Sequence, residues 1–170
     1  KAELKPILDA RPAPEPRVAV AANRPFVQAW KMDDLAPVVE RGLTRRDYDR
    51  GRTLFSEVGC FSCHRYNNEG GAVGPDLTAL GGRFSPRDLL ESIILPSKVI
   101  SDQYGAVVIA TDDGRVVTGR IVNLHGDNLQ VLTDMLNPNA LVGVNRNQIE
   151  DMKPSPVSMM PEGLLNTLNQ

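Results

Sequence analysis

Cys60-Phe61-Ser62-Cys63-His64 is the segment around which this 170-residue chain is built. It has the pattern C-x-x-C-H, the attachment signature of a c-type haem. Two thiols at this spacing can each add across one vinyl group of the same porphyrin. The next residue, His64, then lies under the ring with one nitrogen free for iron, and a proximal His is a standard axial ligand. The pentad therefore predicts one covalently attached haem c.

Other readings of the pentad fit the chain less well. The chain has only two cysteines, which excludes a four-cysteine zinc site. A site with two cysteines and two histidines would need His125, the only other histidine, which lies far outside the usual ligand spacing. A thioredoxin-like motif would follow a strand of a βαβ unit, whereas a helix is predicted before this pentad. A chance pentad without chemistry is the remaining alternative.

Charge and hydropathy narrow the possible partners and compartments. The formal net charge is −2, and no basic run indicates nucleic acid or an anionic membrane surface as a partner. No stretch approaches the roughly 20 apolar residues of a membrane span, and no signal peptide is recognised. Because covalent haem attachment occurs outside the bacterial cytoplasm, we expect a periplasmic or otherwise exported protein whose leader is missing from this sequence.

Proline dominates the N-terminal part of the chain. Five prolines lie within residues 1–25, and proline this dense favours extended structure. We predict a tether or a surface-hugging arm there, with a disordered linker as the alternative. Residues 26–42 carry bulky apolar side chains, which predicts packing on the domain. Trp30 within them is expected in ordinary core packing, or else against the haem pocket.

One helix is predicted before the pentad. Thr44 and Asp47 resemble an N-cap pair, apolar residues then recur at helical spacing as far as Val58, and Gly59 ends the helix. Gly51 lies inside this helix, where glycine costs about 1 kcal/mol relative to alanine. A glycine kept at such a place indicates close approach of another backbone.

A second helix has clear start and stop signals. Ser85 is the predicted N-cap, Pro86 occupies the first helical position and Asp88 the third. Pro96 stops the helix.

A polar, glycine-rich loop follows His64 over residues 66–77. Glycine allows backbone to approach a flat macrocycle closely. An iron-bound His usually donates its other ring N–H to a carbonyl or carboxylate. The Gly-Pro-Asp-Leu segment resembles the loop that supplies this acceptor in class I cytochromes c. The resemblance implies that the backbone carbonyl of Pro75 is the acceptor, and a plain surface turn is the alternative.

The pattern changes to strand periodicity after residue 103. Three segments rich in valine and isoleucine are predicted strands: residues 104–111, 115–123 and 129–133. Residues 141–144 and 148–152 are candidates for two more, and these four or five strands are predicted to form a small antiparallel sheet or barrel-like module. Asp112-Asp113-Gly114 and His125-Gly126-Asp127-Asn128 are the predicted hairpin turns. We therefore predict an inserted β-module over residues 101–153.

The sixth iron ligand is expected in the tail, where Met160 directly precedes Pro161. A methionine in a loop bounded by proline and glycine can be held rigidly toward the ring, and its thioether raises the potential of the iron. Met159 is the near alternative, and the less favoured ones are Met135, Met152 and His125. A methionine in a β-module is usually core filler. An open sixth position is a further alternative.

These elements predict an α+β fold. The 96 positions between His64 and Met160 are too many for a minimal haem fold, and an insertion accounts for the excess. We predict a class I-like helical cytochrome c fold formed by residues 26–100 and 154–170. The small antiparallel β-module is inserted between the haem-attachment motif and the axial methionine loop.

The chain resembles the haem-binding domain of the Planctomycetes–Verrucomicrobia type, which also occurs alone as a monohaem cytochrome c. The similarity covers about residues 30–170. The matching blocks are Trp30-Lys31-Met32-Asp33-Asp34-Leu35, Gly51-Arg52-Thr53-Leu54-Phe55, the pentad, residues 70–78, 83–85, 88–93 and 96–104, and Met160-Pro161-Glu162-Gly163-Leu164-Leu165.

The resemblance implies haem c bound through Cys60 and Cys63, with His64 and Met160 as axial ligands. It also implies electron transfer for a periplasmic dehydrogenase. Members of the family usually continue into a C-terminal helix after the last matching block. We therefore expect either a trimmed chain or a short final helix here. The N-terminal arm is expected to replace part of the final helix where that helix would cross the first one at Gly51.

Together these observations predict a periplasmic monohaem c-type cytochrome that carries single electrons by outer-sphere transfer, and not an enzyme. The expected partner is a redox protein such as a periplasmic dehydrogenase. One alternative is a haem enzyme or gas sensor with an open or labile sixth site. Another is an interaction module in which the β insertion docks the haem domain onto a larger dehydrogenase assembly.

Overall fold

A computed structural model describes residues 24–169. The helices in this range are α1 (Met32–Glu40), α2 (Tyr48–Glu57), α3 (Cys60–Cys63) and α4 (Pro86–Ile94). The strands are β1 (Arg65–Tyr66), β2 (Glu69–Gly70), β3 (Val107–Thr111), β4 (Val116–His125), β5 (Asn128–Leu132), β6 (Leu141–Asn145) and β7 (Ile149–Pro154). Single 3-10 turns occupy Leu80–Gly82 and Arg146–Gln148. This mixture confirms the predicted α+β class.

The predicted arm, residues 1–25, lies outside the described residues except for its last two positions. Between residues 24 and 169, no helix is long and apolar enough to cross a membrane.

The helix before the pentad begins later than its predicted cap pair. Asp47 is the N-cap, and its side chain accepts a hydrogen bond from the backbone N–H of Arg50. The prediction of Thr44 at the cap is wrong because Arg45 has φ of 54°, a left-handed conformation that no α-helix contains. Gly59, at φ of 84°, ends the helix as predicted.

Gly51 of α2 does not mark a crossing within the described chain. A Cβ built on Gly51 meets no atom of another described residue within 4 Å. The predicted close approach of a second backbone is therefore wrong for residues 24–169.

The start of α4 confirms its sequence signals. The Ser85 hydroxyl accepts from the backbone N–H of Asp88, and the Asp88 carboxylate accepts from the backbone N–H of Ser85. This reciprocal pair satisfies two N–H groups that the first turn leaves without intrahelical partners. Pro86 holds the first position, and the helix ends at Ile94, ahead of Pro96.

Helix α1 lies in the segment that was predicted only to pack on the domain. It packs against α4 and buries Ala36. The segment before it does not follow the prediction, because the side chains of Phe26 and Val27 are 68% and 41% exposed. Residues 24–30 are held instead by hydrogen bonds to residues near the C-terminus.

Those hydrogen bonds form a terminal clasp, in which residues 24–30 pair with residues 166–168. The backbone N–H groups of Val27 and Gln28 both donate to the carbonyl of Asn166, at 2.8 and 3.2 Å. Trp30 donates its backbone N–H to Oδ1 of Asn166 at 3.2 Å and its indole N–H to the carbonyl of Leu168 at 3.0 Å. The tail residues 162–168 form turns and not a helix.

The five longer strands form one antiparallel sheet in the order β6-β5-β4-β3-β7. Strands β3 to β6 follow one another as a meander, and β7 returns to pair with β3. All five predicted strands are present. Ile109, Val131 and Val144 are fully buried and form the core of this sheet. The sheet therefore has a hydrophobic core of its own.

Candidate functional site

The pentad is placed by a change of direction at Gly59. Its left-handed backbone turns the chain from α2 into the single-turn helix α3. Cys60 and Cys63 are the first and last residues of α3, and both are half-buried and free. Residues three apart on a helix share one face, so both thiols are presented to the same side.

Burial controls the ionisation of these thiols. It raises the pKa of Cys60 to about 11 and also raises the pKa of Cys63. Thiol–disulfide catalysis of the C-x-x-C type depends on a lowered pKa that supplies thiolate near neutral pH. The pair is therefore unlike a thioredoxin-type redox site.

Phe61 anchors the pentad in the apolar interior, a role the sequence did not reveal. Its side chain is 7% exposed and contacts the ring of Phe55 edge to face, with centroids 4.7 Å apart. The guanidinium of Arg52 lies 5.7 Å above the Phe61 ring. A bulky aromatic residue between two closely spaced cysteines is the signal that could have indicated this anchor.

His64 has one ring nitrogen engaged and one available. Its Nδ1 lies 2.9 Å from the backbone carbonyl oxygen of Pro75. A carbonyl oxygen can only accept, so Nδ1 carries a proton, and in a neutral ring the lone pair is then on Nε2. The structure thus brings together the predicted ring and its predicted acceptor, and leaves Nε2 as the nitrogen for metal binding.

Glycines in the loop after His64 are required by the pentad itself. A Cβ on Gly70 would lie 2.3 Å from the carbonyl oxygen of His64, and one on Gly71 would lie 2.4 Å from that of Ser62. A Cβ on Gly74 would lie 2.9 Å from Cε1 of the His64 ring. The predicted reason for these glycines was approach to a macrocycle. That expectation stays a prediction, and the structure adds a second reason, because these glycines pack on the backbone and ring of the attachment motif.

Backbone hydrogen bonds fasten the same loop to α3. Gly71 donates its N–H to the carbonyl of Phe61 at 2.8 Å, and Gly74 donates to the carbonyl of Cys63 at 2.7 Å. The loop therefore lies against the pentad as a fixed layer, with Pro75 directly after the second of these bonds.

The tail methionines occupy a separate segment. Ser158 donates its backbone N–H to Oγ of Ser97, just after α4, at 3.1 Å. Met160 donates its backbone N–H to Oγ of Ser158, also at 3.1 Å. Met159 and Met160 are both half-buried. In residues 24–169, the hydrogen bonds of this segment join it to the end of α4 and not to the pentad.

The less favoured ligand candidates lie in the β-module. Met152 is on β7, paired with Ile109, and is 49% exposed, so the expectation that it fills the core is wrong. It lies on an edge strand of the sheet, which leaves its side chain partly in solvent. His125 ends β4 beside the turn into β5, close to its predicted turn position.

A cavity of about 340 Å³ lies between the clasp, α4 and the tail. Residues lining it include Trp30, Ile93, Ile94, Leu164, Leu165 and Asn166. No pentad residue lines this cavity. The candidate site is therefore identified from the thiols and the imidazole of the pentad, and not from this cavity.

The donor set fits a covalently attached haem. Two free thiols share one face of α3, and Nε2 of His64 is available for iron. Glycine at position 74 leaves room for the imidazole ring of His64. Within the described range, no group of three or more His, Cys, Asp or Glu residues could hold a metal ion by itself.

Comparison with known proteins supports this fit. Residues 48–107 match the sequence model of the cytochrome c family, a stretch that contains α2, the pentad, the glycine-rich loop and α4. No curated protein sequence matches the chain. The match supports a c-type cytochrome haem-binding domain over residues 48–107, and such a domain implies covalently bound haem c with its iron.

Proposed function

We propose that this protein is a periplasmic monohaem c-type cytochrome that carries single electrons by outer-sphere transfer. The observation that supports this most directly is the hydrogen bond from His64 to Pro75 beside the two free thiols. With Nδ1 bound to the Pro75 carbonyl, Nε2 is the ring nitrogen available to iron. The family match indicates a haem-based electron-transfer protein, and such domains are usually extracytoplasmic.

Each residue of the site has a definite role in this proposal. Cys60 and Cys63 hold the porphyrin through two thioethers, and His64 supplies the proximal ligand. The Pro75 carbonyl fixes the tautomer and the orientation of the imidazole and raises its basicity. The bound haem supplies a reversible one-electron Fe(III)/Fe(II) couple. The protein provides ligands, orientation and exclusion of water around that couple.

Met160 is our candidate for the sixth ligand. Its segment is held to the end of α4 through Ser158 and Ser97, and Pro161 restricts the chain immediately after it. A thioether in the sixth position would leave no site for a substrate on the iron, which is why outer-sphere transfer follows. Met159, its half-buried neighbour, is the alternative ligand.

We also propose that the β-module interrupts a class I-like haem fold formed by residues 26–100 and 154–170. The cytochrome c match ends at residue 107, where β3 begins. The chain enters and leaves the sheet side by side, because Ser155 donates its backbone N–H to the carbonyl of Ala106 at 2.8 Å. Neighbouring ends are what an insertion of residues 101–153 requires.

The proposed partner is a periplasmic dehydrogenase. This part of the proposal is supported by the family resemblance of residues 30–170 and by the expectation that a small carrier takes electrons from a larger enzyme. A redox partner protein of some kind follows from the cytochrome c match itself.

The test is an optical measurement on protein made in a host that attaches haem c. We expect one haem per chain, pigment that stays with the protein in acidic acetone, and low-spin spectra in both oxidation states. A variant with both Cys60→Ser and Cys63→Ser is the control and should lose the retained pigment. Colourless protein, or pigment that extracts from the wild type, would refute the proposal.

The same preparation separates the two alternative functions. Rapid binding of carbon monoxide to the reduced protein would favour a sensor or enzyme with an open sixth site. A docking module would be indicated if deletion of residues 101–153 abolished binding to a dehydrogenase while the haem spectrum was preserved.

A further inference from the structure

We infer that Arg120, in the β-module, is a positioning residue for His64, because it holds the loop whose Pro75 carbonyl orients that ring. The inference deepens the proposed function and rests on it. It assigns the module a role in setting the reduction potential of the haem, in addition to any role in docking.

The contact that carries the inference joins two distant parts of the chain. Nη1 of Arg120 donates to the backbone carbonyl oxygen of Val73 at 2.6 Å, across 47 positions. None of the ion pairs formed among residues 24–169 includes Arg120. Its charge is therefore directed at a carbonyl, and a hydrogen bond from a charged donor is stronger than one between neutral groups.

The base of this side chain is rigid. Arg120 lies on β4, with β5 on one side and β3 on the other, and is paired with Leu132. The preceding residue, Gly119, is packed so closely that a Cβ would lie 2.3 Å from the carbonyl oxygen of Leu132. The guanidinium at the end of the side chain also makes a cation–π contact, because it lies 5.3 Å from the centroid of the Tyr104 ring.

The held carbonyl is two residues from the acceptor of His64. Val73 is followed by Gly74, whose N–H donates to the carbonyl of Cys63 at 2.7 Å. A Cβ on Gly74 would lie 3.0 Å from Nδ1 of His64, so this backbone and the ring have no free space between them. Movement of the Val73 carbonyl would therefore be passed on to the carbonyl of Pro75.

The effect on the haem has a predictable sign. A hydrogen bond from Nδ1 raises the donor strength of the imidazole, which favours ferric over ferrous iron. Loss of the Arg120 contact loosens the loop and weakens the bond from His64 to Pro75. A cavity of about 290 Å³ lined by Arg120, Tyr104 and Ala72 adjoins the contact, and a shortened side chain would let water reach the loop. The weaker bond should then raise the midpoint potential, and Arg120→Lys, which keeps the positive charge, separates this effect from the opposing effect of losing that charge.

The experiment compares haem-loaded wild type with Arg120→Ala and Arg115→Ala. Arg115 is a matched control, because it lies on the same module and its side chain forms its ion pair with the turn residue Asp113, away from the loop after His64. We measure the midpoint potential by spectroelectrochemical titration and the exchange rate of the Gly74 amide by NMR. Arg120→Ala should raise the potential and speed the exchange, and Arg115→Ala should leave both at wild-type values.

Two further variants keep the test decisive. Arg120→Lys retains a charged donor and should recover part of both changes. Arg120→Gln replaces Arg120→Ala if the alanine variant does not fold. Unchanged potential and unchanged Gly74 exchange on removal of the guanidinium would overturn the inference, as would equal changes in the Arg115 control. If the wild type carries no haem, the proposed function fails, while the exchange comparison still decides whether Arg120 holds the loop.

Discussion

His64 and Pro75 are eleven positions apart, yet the ring nitrogen Nδ1 and the backbone carbonyl oxygen lie 2.9 Å from each other. Gly74, immediately before the acceptor, is so close to the same ring that a Cβ would lie 2.9 Å from its Cε1. The orientation of the proposed proximal ligand therefore depends on one residue without a side chain. This relationship can be tested without changing any group that would bind haem.

Gly74→Ala should disturb the haem site. The added Cβ would lie 2.9 Å from Cε1 of His64, so the ring or the loop must move. We expect a lower haem content or an altered low-spin spectrum, and a loss of about 1–3 kcal/mol in unfolding free energy, as is usual for overpacking. Gly81→Ala is the control, because nothing lies within 4 Å of its Cβ. A wild-type spectrum and stability in Gly74→Ala would contradict this role.

Met160→Ala should remove the weak absorption band that a methionine sulfur gives with ferric haem. The physical reason is that the band requires a thioether sulfur bound to iron, and alanine has none. Met159→Ala is the matched control and should keep the band, because it removes the half-buried neighbour of Met160 only. Loss of the band in Met159→Ala and not in Met160→Ala would reverse the assignment.

Gly119→Ala should destabilise the β-module. Its Cβ would lie 2.3 Å from the carbonyl oxygen of Leu132 and 2.8 Å from Cγ1 of Val131, both in a fixed neighbouring strand. We expect the unfolding free energy to fall by about 1–3 kcal/mol in urea titrations. Gly143→Ala adds the same atom on β6, where the nearest contact is 3.9 Å away, and should change stability much less. Equal effects of the two substitutions would show that the backbone of β4 can shift at Gly119 at little cost in free energy.

Asp113 should make the stability of the first hairpin depend on pH. Hydrogen bonds from Thr111 and Arg115 lower the pKa of its carboxyl to about 2. A lowered folded-state pKa stabilises the protein fully above the ordinary Asp pKa near 4, and the contribution is lost as the pH falls toward 2. Asp113→Ala should therefore lower the melting temperature at pH 7, and the difference from wild type should narrow toward pH 2.

The control for that experiment is Asp112→Ala, which removes a carboxylate from the same turn. Its melting temperature, measured over the same pH range, isolates the effect of the bonds to Thr111 and Arg115. A difference between Asp113→Ala and wild type that stays constant with pH would argue against those bonds.

Features encoded in short segments were predictable from the sequence. Ser85, Pro86 and Asp88 define the start of α4 because capping needs only neighbouring groups. The strands were found because alternation and turn residues are local properties. The cap of α2 was misplaced, since Thr44 and Asp47 are both good caps and only the backbone angle of Arg45 decides between them.

Contacts between distant segments were not predictable in this way. The pairing of β7 with β3 depends on a return across the module, and strand patterns do not contain that information. Nothing in the sequence around Arg120 distinguishes it from other arginines. Its hydrogen bond to the carbonyl of Val73 forms because the fold places the sheet beside the loop after His64. The division into a haem domain and residues 101–153 stays a prediction.

The clasp gives this protein an internal fluorophore at an informative place. Trp30 is the single tryptophan of the chain, and its indole N–H is bound to the carbonyl of Leu168, eight residues beyond Met160. Undocking of the tail would expose this indole to water, and the emission wavelength would move to the red. Release of the segment that follows the methionines can therefore be followed in real time with unlabelled material.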